Sequence, residues 1–225
     1  MTIKNIYLVR HGESLANVNK AVHHELPDHR IGLSELGKRQ ALAAGKAFNK
    51  LYDDTFTKMA IWLSPYDRTR QTTDHFLEGL DKAITSGIEY RRENIALCEQ
   101  HFGLFDGIED EDLAKAYPAE FNHYNKAVEH EGKFWASMPM GESRFDVAMR
   151  VQTTFALLKD EAREKNIENV IIVTHGVAMR AFIMQWRNHP YEWFEQETNP
   201  GNCDIYCLAA KPKNDGYVHR TTLLE

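Results

Sequence analysis

Ile6-Tyr7-Leu8-Val9 runs directly into Arg10-His11-Gly12-Glu13-Ser14, and this junction of an apolar run with a polar, glycine-bearing cluster decides how the chain reads. The junction recurs twice. Met59-Ala60-Ile61-Trp62-Leu63 leads into Ser64-Pro65-Tyr66-Asp67-Arg68, and Val170-Ile171-Ile172-Val173 leads into Thr174-His175-Gly176. Ile205-Tyr206-Cys207-Leu208 is a fourth apolar run. Continuous rather than alternating apolar runs of this length indicate strands buried on both faces, as in a parallel sheet.

Helical periodicities fill the intervals. Between Ser34 and Leu51 the positions Leu36, Ala43, Ala44, Ala47, Phe48 and Leu51 recur with helical spacing. Ser64-Pro65 reads as a helix start, a serine cap followed by proline in the first turn. Ser143 with Asp146 reads as a capping box, and the helix after it carries Phe145, Ala148, Val151, Phe155, Leu158 and Ala162 on one side. Gly176 to Trp186 is apolar almost all round, which predicts a buried helix. Strands alternating with helices predict βαβ units with right-handed crossovers, hence an α/β fold. From Asp106 to Gly141 the pattern weakens into acidic residues, Pro118 and aromatics. That stretch, 106–141, is expected to be a helical lid insertion packed on a single domain spanning 1–225.

Composition removes several function classes. The formal net charge is −6, without the strongly basic stripe of a nucleic-acid binder. Three cysteines, Cys98, Cys203 and Cys207, are too few for a disulfide framework and fit a reducing compartment. No run approaches the roughly 18 apolar residues of a membrane span, and Met1-Thr2-Ile3-Lys4-Asn5 lacks a signal peptide's apolar core. A soluble, cytoplasmic protein is expected, with no membrane partner. The sequence leaves its oligomeric state open. Neither G-x-x-x-x-G-K-[ST] nor G-x-G-x-x-G occurs.

The chemistry sits where the apolar runs end. In open α/β sheets, ligands bind outside the carboxyl ends of the strands. Two His-Gly pairs and two arginines, Arg10 and Arg68, would therefore meet at one mouth. Each glycine would let backbone approach a ligand, and each following helix would turn N–H groups toward an anion. Arginine presents a fork that fits phosphate oxygens. A neutral imidazole is a nucleophile able to form a covalent intermediate, and neighbouring guanidiniums would keep it neutral. A single histidine after a strand is ordinarily structural; two such pairs, each near an arginine, point to catalysis.

Leu8-Val9-Arg10-His11-Gly12-Glu13-Ser14 with Asn17 resembles the signature of the histidine phosphatase superfamily, the phosphoglycerate-mutase-like proteins. The resemblance runs along nearly the whole chain. It takes in Gly32-Leu33-Ser34-Glu35-Leu36-Gly37, Ser64-Pro65-x-x-Arg68-x-x-Gln71-Thr72, Glu99-Gln100-His101-Phe102-Gly103, Gly141-Glu142-Ser143 and Val173-Thr174-His175-Gly176. It implies that His11 accepts the phosphoryl group, and that Arg10, Arg68, His175 and Asn17 bind its oxygens. It implies that Glu99 serves as general acid and then as base. It further implies a three-layer α/β/α sandwich, the insertion over the mouth, and no metal or other cofactor. Many members carry Trp-Glu-Gly after the acid motif; here Phe105-Asp106-Gly107 stands there. The wording of the acid and Gly141-Glu142-Ser143 motifs resembles a phosphatase branch with plant and fungal members.

His23-His24-Glu25-Leu26-Pro27-Asp28-His29 superficially resembles a zinc site, but the histidine spacing is wrong and Pro27 interrupts the helix such a site needs. A non-catalytic phosphate-binding module would be expected to lose at least one of Arg10, His11, Arg68, Glu99 and His175. Glu142-Ser143 fits a helix cap better than a ligand contact. Phosphatase activity is expected over mutase activity, because Glu109-Asp110-Glu111-Asp112 stands where a mutase's basic clamp is expected. Lys126, Lys133 and Arg144 are the basic residues that would contradict this. The expected substrate is a small phosphorylated metabolite or a phosphoprotein.

Overall fold

The computed structural model describes residues 3–52 and 58–221. Among them, β1 (Asn5–Arg10) is followed by α1 (Leu15–Val18), α2 (Glu35–Leu51), β2 (Met59–Leu63), α3 (Asp67–Gly79), α4 (Lys82–Thr85) and β3 (Ile88–Glu93). Then come α5 (Leu113–Ala116), α6 (Pro118–Glu131), α7 (Arg144–Gln152), α8 (Thr154–Lys165), β4 (Asn169–Thr174), α9 (Gly176–Arg187), α10 (Tyr191–Gln196), β5 (Ile205–Ala209) and β6 (Gly216–His219).

The strands form one sheet in the order β3-β2-β4-β1-β5-β6. β1, β4, β2 and β3 run parallel, while β5 is antiparallel to β1 and β6 to β5. The apolar runs are continuous because both faces are covered. Tyr7, Val9, Ile61, Leu63, Ile171 and Val173 pack under α2 and α3 with Ala44, Phe48 and Phe76. Their neighbours Leu8, Ala60, Trp62, Val170 and Ile172 pack under α7, α8 and α9 with Val147, Leu158 and Phe182. Helices on both faces of a mostly parallel sheet make the expected α/β/α sandwich. Among the described residues, no helix is long and apolar enough to cross a membrane.

Four details depart from the sequence reading. β3 and β6 lie at the sheet edges and have no apolar run. β3 alternates partly buried and exposed positions, and its charges find partners outside the sheet: Arg91 with Asp74, Arg92 with Glu161 and Glu93 with Arg70. β5 joins antiparallel, since burial on two faces does not specify strand direction. The helix after β2 starts at Asp67 with Tyr66 as its cap, not at Ser64. The Ser64 hydroxyl instead meets His175 Nε2 at 2.9 Å. Finally, the helix opened by the Ser143–Asp146 capping box breaks at Thr153 into α7 and α8.

The 106–141 segment carries α5 and α6. Leu113, Tyr124 and Ala136 pack there with Phe105 in a third, smaller apolar cluster.

Candidate active site

β1, β4 and β2 are adjacent and parallel, so their carboxyl ends share one edge of the sheet. Arg10 is in register with Thr174, and Leu63 with Val173. The chain leaving β1 is held to the others by backbone: His11 N–H donates to Thr174 O (2.9 Å) and Ser64 N–H to Val173 O (3.1 Å). Because β5 is antiparallel, its beginning reaches the same edge. There Cys203 N–H donates to Arg10 O (3.1 Å) and Asn202 Nδ2 to His11 O (3.1 Å). The rings of His11 and His175 end 5.1 Å apart, centroid to centroid.

His11 is buried, and its Nδ1 lies 2.7 Å from Gly12 O. A carbonyl can only accept, so Nδ1 carries the proton and a neutral ring keeps its lone pair on Nε2. Burial, then Arg68 and Arg10, hold the imidazole well below its usual range. A neutral nucleophile is thus built in. His175 is also depressed by burial and by Arg68. Ser64 Oγ lies 2.9 Å from His175 Nε2, accepts from Tyr66 N–H at 3.4 Å, and has Cys98 Sγ at 3.8 Å as a second acceptor for its proton. His175 Nδ1 is buried and without a hydrogen-bond partner, so it is the ring nitrogen left open to a ligand.

Packing by itself requires glycine at position 12. A Cβ there would sit 2.5 Å from Gly37 O, and one on Gly37 would sit 2.0 Å from Glu13 O. The two glycines let α2 press its first turn against the β1 loop.

Arg68 is buried, and Asp28 takes the end of its fork. Nη1 donates to Asp28 O (2.7 Å) and Oδ1 (2.9 Å), and Nη2 to Oδ2 (3.2 Å). A guanidinium has five N–H donors, so Nε–H and one Nη2–H, which share the other edge, remain. Arg10 Nη1 donates to Pro200 O (2.5 Å), while its buried Nε has no partner. Both arginines therefore keep donors in hand for an anion.

Glu99 occupies the start of α9. Its carboxylate accepts from Gln100 N–H (2.9 Å), Ala178 N–H (3.3 Å) and Val177 N–H (3.3 Å). The helix N-terminus expected to meet an external anion is thus satisfied by the protein's own carboxylate. Arg150 fixes the backbone behind it, donating to the carbonyls of Ala96, Cys98 and Glu99 at 2.8–2.9 Å and pairing with Glu142. Glu142 is therefore structural, and Ser143 is a cap, as the sequence suggested.

Arg10, His11, Asn17, Arg68 and Glu99 all line one cavity of about 410 Å³. His175 does not; it lies beneath the cavity, fully buried. Asn17 Oδ1 accepts from Ser14 N–H (3.0 Å), so it caps α1 as well as lining the pocket. Sequence reasoning missed Lys20, His23, Asp28, Asp106 and Asp110, which also line it. His23 and Asp28 stood in the stretch rejected as a zinc site, Asp106 in Phe105-Asp106-Gly107 and Asp110 in the acidic run, none of them read as pocket lining; Lys20 carried no signal at all. His23 Nδ1 stands 3.4 Å from Asp106 Oδ2 and 4.0 Å from Asp28 Oδ1. These three could surround a cation, but Arg68 already holds Asp28.

A family model described as "Histidine phosphatase superfamily (branch 1)" matches residues 6–221. The chain belongs to the histidine phosphatase superfamily. It is 33% identical to the phosphoglycerate mutase-like protein AT74 of Arabidopsis thaliana over 213 residues, which cover 90% of this chain and 63% of AT74. It is 26% identical to the broad-range acid phosphatase DET1 of Saccharomyces cerevisiae, covering 97% of this chain and 89% of DET1. The fold is shared with a mycobacterial glucosyl-3-phosphoglycerate phosphatase solved with VO3, with a TM-score of 0.66, 23% identity and 92% of each chain covered. The Arg10-His11, Arg68 and His175 motifs lie at or just beyond the ends of β1, β2 and β4, and Arg10, His11, Arg68 and Glu99 line the cavity.

Proposed function

We propose that the chain is a metal-independent phosphatase, a single histidine phosphatase domain over 1–225, that hydrolyses phosphate monoesters through a phosphohistidine on His11. The observation that carries the reading is the His11 Nδ1–Gly12 O hydrogen bond, which reserves Nε2 for attack in a pocket shared with Glu99. Nε2 attacks phosphorus as the ester P–O bond breaks, and Glu99 gives its proton to the leaving oxygen. Glu99 then takes a proton from water, whose oxygen attacks phosphorus and returns the electron pair to Nε2. Arg10, the free edge of Arg68, Asn17 and the Nδ1–H of His175 hold the phosphoryl oxygens.

Mutase-type transfer on the same site is the second reading. It is disfavoured because Lys126, Lys133 and Arg144 do not line the cavity. Arg144 instead sits 5.6 Å above the Phe194 ring. A cavity of about 410 Å³ suits a small phosphorylated metabolite better than a phosphoprotein. A cytoplasmic setting fits three unpaired cysteines.

The test is to trap the enzyme with ³²P-labelled aryl phosphate under an alkaline quench and map the label. It is expected on His11 and absent in His11→Ala, which should not turn over. Label on another residue, or an active His11→Ala enzyme, overturns the mechanism.

A further inference from the structure

Besides Arg10, His11 and Arg68, the cavity is lined by the segment before α5, which contributes Asp106, Gly107, Ile108 and Asp110. Asp106 is partly buried, and burial together with the nearby Asp28 carboxylate raises its affinity for a proton. Apart from His23, no described donor reaches it. Asp110 stands exposed at the mouth, with no described partner. Its sequence neighbours are spent elsewhere: Glu109 pairs with Lys20 and Asp112 with Lys115.

The lining cations are Arg10, Arg68 and Lys20. The two arginines keep donors for phosphate. Lys20 Nζ lies 2.8 Å from Glu109 Oε2 and donates to Ile108 O at 3.2 Å. Against them the same cavity carries Asp28, Glu99, Asp106 and Asp110. Once a phosphate is seated on the two arginines, Lys20 is already paired with Glu109, while Asp106 has only His23 as a partner and Asp110 has none among the described residues. A carboxylate at a pocket wall is satisfied by hydroxyl or ammonium groups and repels another anion.

Resting on the hydrolytic reading above, we infer that this site selects monophosphates of polyols or amino alcohols, whose leaving groups bring hydroxyl or ammonium donors, and rejects esters with a second anionic group. Asp106 and Asp110 are the specificity-determining residues. The phosphate sits among Arg10, Arg68 and His11, and the leaving group extends past Glu99 toward Asp106 and Asp110. Phe102, Phe105 and Ile108 give its carbon skeleton an apolar side.

Glycerol 3-phosphate and 3-phosphoglycerate make a matched pair, differing by a hydroxymethyl group in place of a carboxylate. The experiment measures kcat/KM for both with the full-length enzyme, alongside an aryl phosphate. Where one ester turns over too slowly, its inhibition constant against the aryl phosphate supplies the ratio. Glycerol 3-phosphate is expected to be preferred about tenfold or more, a lower bound because two like-charge pairs at about 4 Å would give about 30-fold even in bulk water. In Asp106→Asn/Asp110→Asn the preference should fall to about twofold, through improved handling of 3-phosphoglycerate. Asp110→Asn alone, at an exposed position, should give part of the change without risk to folding. A wild-type ratio near one, or a ratio unchanged in both variants, overturns the inference. An enzyme inactive on the aryl phosphate overturns the hydrolytic reading instead.

Discussion

Ser64 Oγ lies 2.9 Å from His175 Nε2, and both side chains are fully buried below the cavity. With the hydroxyl proton directed at Nε2, Nδ1 bears the His175 proton and can offer it to a phosphoryl oxygen. Ser64→Ala should lower kcat about 10–100-fold, the usual range for a partner that orients a ligating histidine. Ser64→Thr should restore part of the rate. Steady-state kinetics decide this, and an unchanged Ser64→Ala rate would remove the tautomer argument.

Glu99→Gln should lose far more rate on alkyl than on aryl phosphates. An alkoxide needs a proton as it departs, whereas a phenolate needs it less. General acid help is worth about 10²–10⁴-fold. Equal losses on the two classes would take Glu99 out of the acid role.

Gly37→Ala tests the close approach of α2 to the β1 loop. Its Cβ would lie 2.0 Å from Glu13 O, which is backbone and cannot swing aside. Destabilisation at the upper end of overpacking is expected, about 3 kcal/mol, or a Tm lower by about 6–12 °C. A calorimetric scan with an unchanged Tm would contradict the contact.

The histidine pair predicts a pH dependence. His11 and His175 are held well below 6.5 when folded, chiefly by burial and then by the arginines. In the unfolded chain both take up protons near 6.5. As pH falls through that value the unfolded state binds protons that the folded state refuses, so stability is full above about 6.5 and declines below it. Melting curves from pH 8 to 5 should show this loss, and His11→Gln should make it shallower. The acid limb of the rate profile should likewise lie below 6.5. A limb at 6.5 would mean that His11 titrates normally.

Chelation gives a fifth test. Activity should be the same within about twofold in EDTA, since guanidiniums and imidazoles supply the stabilisation of phosphoryl charge. Added Zn²⁺ should inhibit, because binding at His23, Asp28 and Asp106 would compete with Arg68 for Asp28. Loss of activity in EDTA with recovery on adding Mg²⁺ or Zn²⁺ would reverse the assignment.

The parts legible in sequence are those where one residue type meets one physical demand. Ile6–Val9, Met59–Leu63 and Val170–Val173 announced central strands because burial on both faces leaves no place for a polar residue. The residues just beyond them were legible because a strand end is where the fold puts ligands. β3 was not, since an edge strand needs only one apolar face, and Arg91, Arg92 and Glu93 read as surface. Asp28 was missed because its link to Arg68 spans 40 positions and no local pattern carries it. Ser64 was misread because a serine before a proline looks like a cap, and only the tertiary fold brings His175 to it. A second demand on Gly12 was missed for the same reason: the atom it makes room for belongs to α2.

The placement of β1 between β4 and β5 carries a cost in time. Asn5 bonds to Asn169, 164 residues later, and to Cys207, 202 residues later. At a synthesis rate of 5–20 residues per second, the strand that bears the nucleophile waits on the order of ten to forty seconds for either neighbour to be made. Ile6, Leu8 and Val9 stay without their sheet neighbours during that interval, so an apolar segment remains uncovered long after it is made. A chaperone that holds extended apolar segments would find its site here, and the rate of forming active enzyme should follow closure of these distant pairings rather than formation of any helix.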